Sequence, residues 1–578
     1  MIRRFVTVAL LFQAYCRANS CTQSCDELYP GGNAVTMCGT DGVTHSTHSD
    51  AFYDNDCYDL CGIMTYYEGP CNCPHNCYNE LNQGSCVGGS SCECMPGWGG
   101  DDCSLPVKGN TCSLHGKVVT VDDKDSVFPF EYCLCDEGFT GTDCSSAILT
   151  IGNTPWGNIF DVKTYYDDDY EDAHPVWNIS VLATVRIEIA EEDYLYLLDP
   201  EYLYTEDYRP ASIYFDNGHV QESYESVGLR VKGQGGRMDQ KKGWAVKFNK
   251  FVSGQKLLDI EKLNFKGCSE DDSFMKIQLA TDMFKAMGMP SQRSSYALVY
   301  INNIFVGLYF MHEDISDHFV ESRFAGDGSG NLMQLYYNVH LGYYGPDDAY
   351  YRDKAYVNSL GYAMHYYSQE CGNDDWTDFI SWLEFINVTS DNEFMDKVDK
   401  YVDTDTLLRL MAVESFLLAS DNLASGNNIY IYHQTKDDVE DQMCLFTYDF
   451  ESVFSFTSDT NEPKQDPNIF TFFLTLDDSY DDTNPLLYRL LLSDKYRDLY
   501  VQYMDTFLTS LFGTKSPQQP AERFAALFQF VLPWAARDKL WQLSYGITVE
   551  RFVLVAEQTI ANLPLRYQNV SAQLDAYK

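Results

Sequence analysis

Residues 416–451 read FLLASDNLASGNNIYIYHQTKDDVEDQMCLFTYDFE, an apolar run punctuated by a few polar residues. Ser420-Asp421 closes a helix-like segment whose apolar positions include Leu407, Leu408, Met411, Phe416 and Leu417. Asn428 opens the strand-like Ile429-Tyr-Ile-Tyr432, and Asp449 ends the strand-like Leu445-Phe-Thr-Tyr448. An Asp, an Asn seven residues on and a second Asp after an apolar hairpin predict three polar side chains converging at one end of a sheet. Phosphoryl transfer uses such a set. One carboxylate orients and deprotonates the attacking hydroxyl, while an amide and a carboxylate hold a divalent metal against the phosphates. The plainer reading is a helix cap at Asp421, a turn residue at Asn428 and a strand-end acid at Asp449.

Outward from this stretch the pattern is β-rich upstream and mostly helical downstream. Val185 to Ile189 alternates like a strand, and Ser212-Ile-Tyr-Phe215 followed by Asp216-Asn217-Gly218 signals a hairpin. Val227 to Val231 runs into Lys232-Gly-Gln-Gly-Gly-Arg237, and Trp244-Ala-Val-Lys-Phe248 is again strand-like. Phe274, Ile277, Ala280 and Phe284 repeat at helical spacing until Gly288-Met-Pro290. Tyr296 to Tyr300 and Phe305 to Met311 form a second hairpin around Asn302-Asn303. A β-rich half carrying a Gly-rich turn and a lysine, then a helical half, is how kinase-like folds are organised. A Gly-rich turn alone is more often structural than phosphate-binding.

From about Val181 to Tyr567 the chain resembles the spore-coat protein H (CotH) family of atypical, secretory-type protein kinases. The resemblance is carried by Lys232-Gly-Gln-Gly-Gly-Arg237 with Lys241-Lys242-Gly-Trp; by Leu263-Asn264; by Asn303 with Gly307-Leu-Tyr309 and Glu313; and by Ser420-Asp421, Asn428-x-Tyr-x-Tyr432 and Tyr448-Asp449-Phe-Glu451. It implies ATP as phosphate donor and Mg²⁺, Mn²⁺ or Ca²⁺ as metal. Asp421 takes the place of the catalytic-loop aspartate. Asn428, Asp449 and Glu451 become metal ligands, Lys242 the nucleotide-phosphate lysine, and Gly233 and Arg237 part of the phosphate loop. Lys247 is the rival to Lys242 by analogy with ordinary kinases, and Glu313 is read as orienting a lysine or metal. The family's Arg-Gly-Asn-Ser-Ser/Thr is here Lys-Gly-Gln-Gly-Gly, which lacks hydroxyls for phosphate but leaves backbone N–H groups free to cradle an anion. The gap from Asp421 to Asn428 is also longer than in ordinary kinases. Transfer of AMP, or a pseudokinase, stays open.

The first quarter has a different texture. Arg3 and Arg4, the apolar Phe5 to Ala14 and the small residues Ala18-Asn19-Ser20 predict a signal peptide over residues 1–20, hence a secreted, extracellular protein. Of 20 cysteines, Cys16 leaves with that signal and only Cys268, Cys371 and Cys444 lie beyond Cys144. Such clustering marks small modules that cannot bury enough apolar surface without disulfides. Residues 21–72, with Cys38-Gly-Thr-Asp-Gly-Val-Thr44, resemble a Kazal module, which implies Cys21–Cys61, Cys25–Cys57 and Cys38–Cys71. Residues 73–104 resemble an EGF-like module, implying Cys73–Cys86, Cys77–Cys92 and Cys94–Cys103. Residues 105–146 resemble a second, shortened EGF-like unit, implying Cys112–Cys133 and Cys135–Cys144. The predicted fold class is therefore multidomain: disulfide-rich Kazal-like and EGF-like modules, then an α+β, bilobal, kinase-like domain over 147–578.

A formal net charge of −45 disfavours nucleic acid and anionic membranes as partners and favours divalent cations or basic substrates. No stretch is long and apolar enough to predict a membrane span. Asn178, Asn387 and Asn569 each begin a glycosylation sequon. Three functions compete. The first is a kinase acting on Ser or Thr of secreted proteins. The second is a non-catalytic adhesion or receptor-binding protein that meets cell-surface or matrix proteins through its EGF-like modules. The third is a protease inhibitor acting through the Asp26 to Met37 loop of the Kazal-like module.

Overall fold

The computed structural model describes residues 155–157, 159–160 and 174–578, apart from 234, 325–327, 337–338, 358–362, 436–440, 455–467 and 474–483. Ahead of these it describes the backbone of short strands and the side chains of Cys92 and Cys133. The chain divides into two compact units, Met1–Asp136 and Glu137–Lys578. In the first, Ala34–Gly39 pairs antiparallel with Thr44–His48 and Thr65–Glu68, and three antiparallel pairs follow, Gly84–Val87 with Ser91–Cys94, Trp98–Gly99 with Leu105–Pro106 and Gly116–Val121 with Phe130–Cys135. The signal peptide lies outside the described residues. So do the partners that the Kazal-like and EGF-like readings assign to the cysteines.

Seven strands of the second unit close into a barrel. They are β1 (Leu182–Ile189), β2 (Arg209–Asp216), β3 (Gln221–Lys232), β4 (Gly243–Lys247), β5 (Lys262–Lys266), β6 (Ser294–Ile301) and β7 (Ile304–Glu313), in the order β1-β2-β3-β4-β5-β7-β6. Every neighbour is antiparallel except β6 and β1, whose parallel pairing closes the ring. The hairpin turns are where the sequence places them. Gly218 has φ +80°, and Asn302 and Asn303 have φ +49° and +63°, backbone that only Gly and Asn adopt readily.

Alternation then sorts the side chains. Val185, Ile187, Leu229, Val231, Trp244, Val246, Leu263, Phe265, Val299 and Met311 fill the interior, each contributing roughly 1.5–3 kcal/mol by leaving water. The same alternation turns Lys262, Asn264 and Lys266 of β5 outward, as it does Arg230 and Lys232 of β3. A one-residue slip of β5 would bury those lysines and expose Leu263 and Phe265, so burial of the core also fixes the outer face.

Between β5 and β6 runs α1 (Lys276–Ala286), which stops where Gly288, at φ +71°, lets the Met289 N–H reach the Phe284 carbonyl at 3.1 Å. After α2 (Asp317–Arg323) comes a four-stranded antiparallel sheet. Its strands β8 (Leu332–Leu335), β9 (Tyr367–Cys371), β10 (Ile429–Gln434) and β11 (Gln442–Thr447) lie in the order β9-β8-β10-β11. Between β9 and β10 run α3 (Thr377–Val388), α4 (Asp391–Tyr401) and α5 (Thr404–Leu417). The helix α5 starts on Asp403, whose carboxylate accepts from the Thr406 N–H at 3.0 Å, and is buried on nearly every side. It packs against α6 (Asp494–Phe512), with α7 (Pro520–Ala535) and α8 (Val549–Tyr577) completing the helical half. No helix among the described residues is long and apolar enough to cross a membrane.

Candidate functional site

The site forms where α5 ends, β10 begins and β11 ends. Leu418 terminates α5 in the left-handed region, at φ +57°, and the chain turns through residues 419–428 before entering β10. Gly426 is needed in that turn: a Cβ there would sit 2.5 Å from the Val339 carbonyl oxygen. The register Ile429↔Thr447 places the start of β10 beside the end of β11. The sheet thus brings Asn428 and Asp449 to one edge, and the loop adds Asp421.

Hydrogen bonds hold the three in place. The Asn427 side-chain amide donates to Asp421 Oδ1 at 2.9 Å, and Asn428 Nδ2 donates to the Asp421 carbonyl at 2.9 Å and to Oδ2 at 3.2 Å. Asn422 Nδ2 donates to the Tyr448 carbonyl at 2.7 Å, and the Tyr448 N–H donates to the Asn428 carbonyl at 3.2 Å. Asn428 and Asp449 have φ +53° and +65°, conformations uncommon outside glycine and concentrated at functional sites. Burial pushes the Asp421 carboxyl up to about 6, helped by the negative charges of Glu270 and Asp449. A carboxylate tuned to that range suits a general base.

The barrel supplies the cations. Lys266, the last residue of β5, places Nζ 2.8 Å from Asp449 Oδ1 and 3.1 Å from Glu451 Oε2. Although burial disfavours its charge, Asp449 and Glu451 hold the Lys266 amine well above the usual lysine range. Burial pushes Glu451 up to about 8 against the pull of Lys266, and Asp449 adds to the rise. Glu451 Oε1 and Asn264 Oδ1 are buried without a hydrogen-bond partner. Beside Lys266 on the same outer face, Lys262 and Lys232 share Asp314 at 2.8 and 3.6 Å. Burial and the neighbouring cations depress Lys232 against the pull of Asp314, although a third of its side chain still meets solvent. Burial, Lys232 and Lys266 likewise hold His312 down to about 3, so it is neutral. Within a strongly acidic chain, three lysines are thus gathered opposite the carboxylates of Asp449, Glu451 and Asp314.

The other sequence-derived residues sit elsewhere. Lys242 Nζ donates to the Arg237 carbonyl at 2.6 Å, and burial lowers its pKa. Arg237 pairs with Glu206 and donates to the Leu203 carbonyl at 2.7 Å, so its guanidinium is committed to the connection between β1 and β2. Gly233, at φ +113°, has open space where a Cβ would point. Glu313 is paired with two arginines instead of a lysine. Arg293 Nη2 lies 2.8 Å from Oε1 and Arg323 binds both oxygens. Burial, which would raise Glu313, is outweighed by Arg323 and Arg293, which hold it down to about 2. Lys247, on the outer face of β4 at its far end, lies opposite Lys262 in the strand register.

Sequence reasoning passed over Lys266 and Lys262, named Asn264 only within the Leu263-Asn264 resemblance, and placed Lys232 only inside the Gly-rich motif. The signal was present in Lys262-Leu-Asn-Phe-Lys266, a strict polar–apolar alternation that puts three polar groups on one face. Of the sequons, Asn178 accepts from Ser180, Asn569 is exposed on α8, and Asn387 donates its amide to the Leu341 and Leu383 carbonyls at 2.9 and 2.7 Å. Cys268 and Cys371 are free thiols, and burial raises Cys371 up to about 12.

A family model described as CotH kinase protein matches residues 229–538, more than half of the chain, and covers every residue of this site. Inner spore coat protein H of Bacillus subtilis (strain 168) is 25% identical over 169 residues. That similarity spans 28% of this chain and 42% of the relative's length.

Proposed function

The chain belongs to the CotH kinase protein family, and from that premise we propose that its Glu137–Lys578 unit is a metal-dependent atypical protein kinase. It transfers the γ-phosphoryl group of ATP to Ser or Thr of secreted or extracellular proteins. The observation that carries this reading is the convergence of Asp421, Asn428 and Asp449 at one sheet edge, facing Lys266.

The residues fit a divalent cation. Asn428, Asp449 and Glu451 would hold it, and the unpartnered Glu451 Oε1 is a donor atom without other employment. Among the described residues, no group of three or more His, Cys, Asp or Glu could hold a metal ion by itself. Mg²⁺ and Mn²⁺ suit such a site, since one or two carboxylates suffice when substrate phosphates complete the shell; Ca²⁺, which prefers more oxygens, suits it less. Such an ion supplies charge neutralisation on the phosphate oxygens. The chain's own residues do the rest. Asp421 accepts the hydroxyl proton of the acceptor Ser or Thr, Asn428 and Asn427 orient Asp421, and Lys266 with its neighbours Lys232 and Lys262 meets phosphate oxygens.

Secretion rests on the signal-like residues 1–20, and partners met through the EGF-like modules belong to the same proposal. The test is a thermal shift of the full chain with ATP and Mg²⁺ or Mn²⁺, in wild type and Asp449→Ala. Ligand binding raises the midpoint by mass action. A shift that needs both metal and Asp449, with transfer to casein that rises as pH passes through about 6, supports the kinase. The rise follows because only ionised Asp421 accepts a proton, and its carboxyl is pushed up to about 6. No shift at millimolar ATP in folded protein would favour the non-catalytic adhesion protein, to which the hydroxyl-free Gln234-Gly-Gly turn also points.

A further inference from the structure

Glu414 stands on the buried helix α5 and is fully inaccessible to solvent. A carboxyl in such a place opposes folding unless its bonds are worth more than the apolar side chain that would fit there. Its two oxygens go to two different segments. Oε2 accepts from the Leu423 N–H at 3.1 Å, two residues after Asp421. Oε1 accepts from the Thr447 hydroxyl at 2.7 Å, two residues before Asp449. One planar group thus bridges the loop that carries Asp421 and the strand that delivers Asp449. Both partners are uncharged, and burial pushes Glu414 up to about 8 against the pull of these two bonds.

We infer that Glu414 is a positioning residue, which fixes the distance between the acceptor-side Asp421 and the metal-side Asp449. This rests on the kinase reading above and extends it. The bonds explain why a polar residue stands here. Leucine fills a similar volume yet releases both segments, whereas glutamine retains them. With glutamine, Oε1 accepts from Leu423 while Nε2 donates to Thr447 Oγ, which reverses its role. The direct bond from Asn422 to the Tyr448 carbonyl keeps the segments in contact when Glu414 is changed. The expected loss is therefore one of alignment, which acts on turnover more than on nucleotide affinity.

The experiment compares Glu414→Leu and Glu414→Gln in the full chain. Transfer from radiolabelled ATP to casein with Mn²⁺ is measured alongside amide hydrogen exchange at Leu423. The expected result for Glu414→Leu is a kcat lower by about 10- to 100-fold, a KM for ATP within about twofold, and faster exchange at Leu423. Glu414→Gln should recover most of kcat and the protection. A folded Glu414→Leu with wild-type kcat, or a Glu414→Gln as slow as Glu414→Leu, would overturn the inference. If Glu414→Leu does not fold, Thr447→Val removes one of the two bonds and decides the matter in the same way. If the wild type transfers no phosphate, the kinase reading fails by itself. The exchange data then judge the bridge: unchanged protection at Leu423 in Glu414→Leu refutes it, and protection lost with leucine but kept with glutamine upholds it.

Discussion

Lys241 and Lys266 both meet carboxylates from the helical half, and the two places differ in what is left unsatisfied. Lys241 is sealed. Its Nζ donates to Asp538 Oδ2 at 2.7 Å and to the Leu308 carbonyl at 2.6 Å, and it lies 4.6 Å from the ring centres of Phe274 and Tyr309. Asp538 in turn accepts from the Leu308 and Trp541 N–H groups, and both side chains are 0% exposed. Gly307 makes room for the pair, since a Cβ there would meet Asp538 at 2.4 Å. Around Lys266 the arrangement is unfinished. Asp449 is 28% exposed, Glu451 keeps an oxygen without a partner, and one cation serves two acids. A closed ion pair ties elements together, whereas an open one with spare acceptors is poised to exchange partners with a metal and a phosphate.

Breaking the closed pair should have the largest effect. Lys241→Met leaves a buried, uncompensated carboxylate and is expected to destabilise the unit by about 3–5 kcal/mol, read as a lower denaturant midpoint. Much of this returns in the double variant Lys241→Met/Asp538→Leu. A Lys241→Met protein as stable as wild type would erase the distinction between the two sites. At the open pair the sign of the trade reverses. Lys266→Met should lower transfer by about 100- to 1,000-fold, while stability falls by less than at the closed pair, because Asp449 stays partly solvated and the buried Glu451 can take up a proton. The comparison fails if Lys266→Met loses stability and keeps activity. The smallest effect is expected one residue from the closed pair. Lys242→Met removes one hydrogen bond to a carbonyl, worth about 1 kcal/mol, and should leave transfer within about threefold of wild type. A loss as large as that of Lys266→Met would return the nucleotide role to Lys242.

These adjacent lysines show where reading the sequence stops. The pattern Lys241-Lys242-Gly-Trp resembles the family, and Lys242 was the reasonable choice within it. Its strand neighbours, however, direct its amine to the Arg237 carbonyl. Lys266 carries no motif of its own, and its contact with Asp449 joins residues 183 apart in sequence. Glu313, read from the sequence as orienting a lysine or metal, is held by Arg293 and Arg323, brought to it from the chain connecting β5 and β6 and from α2, which no local period encodes.

Local chemistry did determine much of this protein. Alternation in Val185 to Ile189 and Trp244 to Phe248 placed strands, Asn217-Gly218 and Asn302-Asn303 placed turns, and the apolar run before Asp421 with the hairpin after it put Asp421, Asn428 and Asp449 at element ends. Those signals are readable because backbone propensity and burial act over a few residues. Only the tertiary structure decided that the β strands close into a barrel through a parallel pair between β1 and β6, and that the barrel's outer face turns Lys266 toward Asp449. It alone raised Asp421 and Glu414, because a pKa depends on how much water and which charges surround a group in the folded chain. Sequence named the acids; packing over long separations assigned their partners, since close packing in three dimensions is satisfied by volume and charge irrespective of order along the chain.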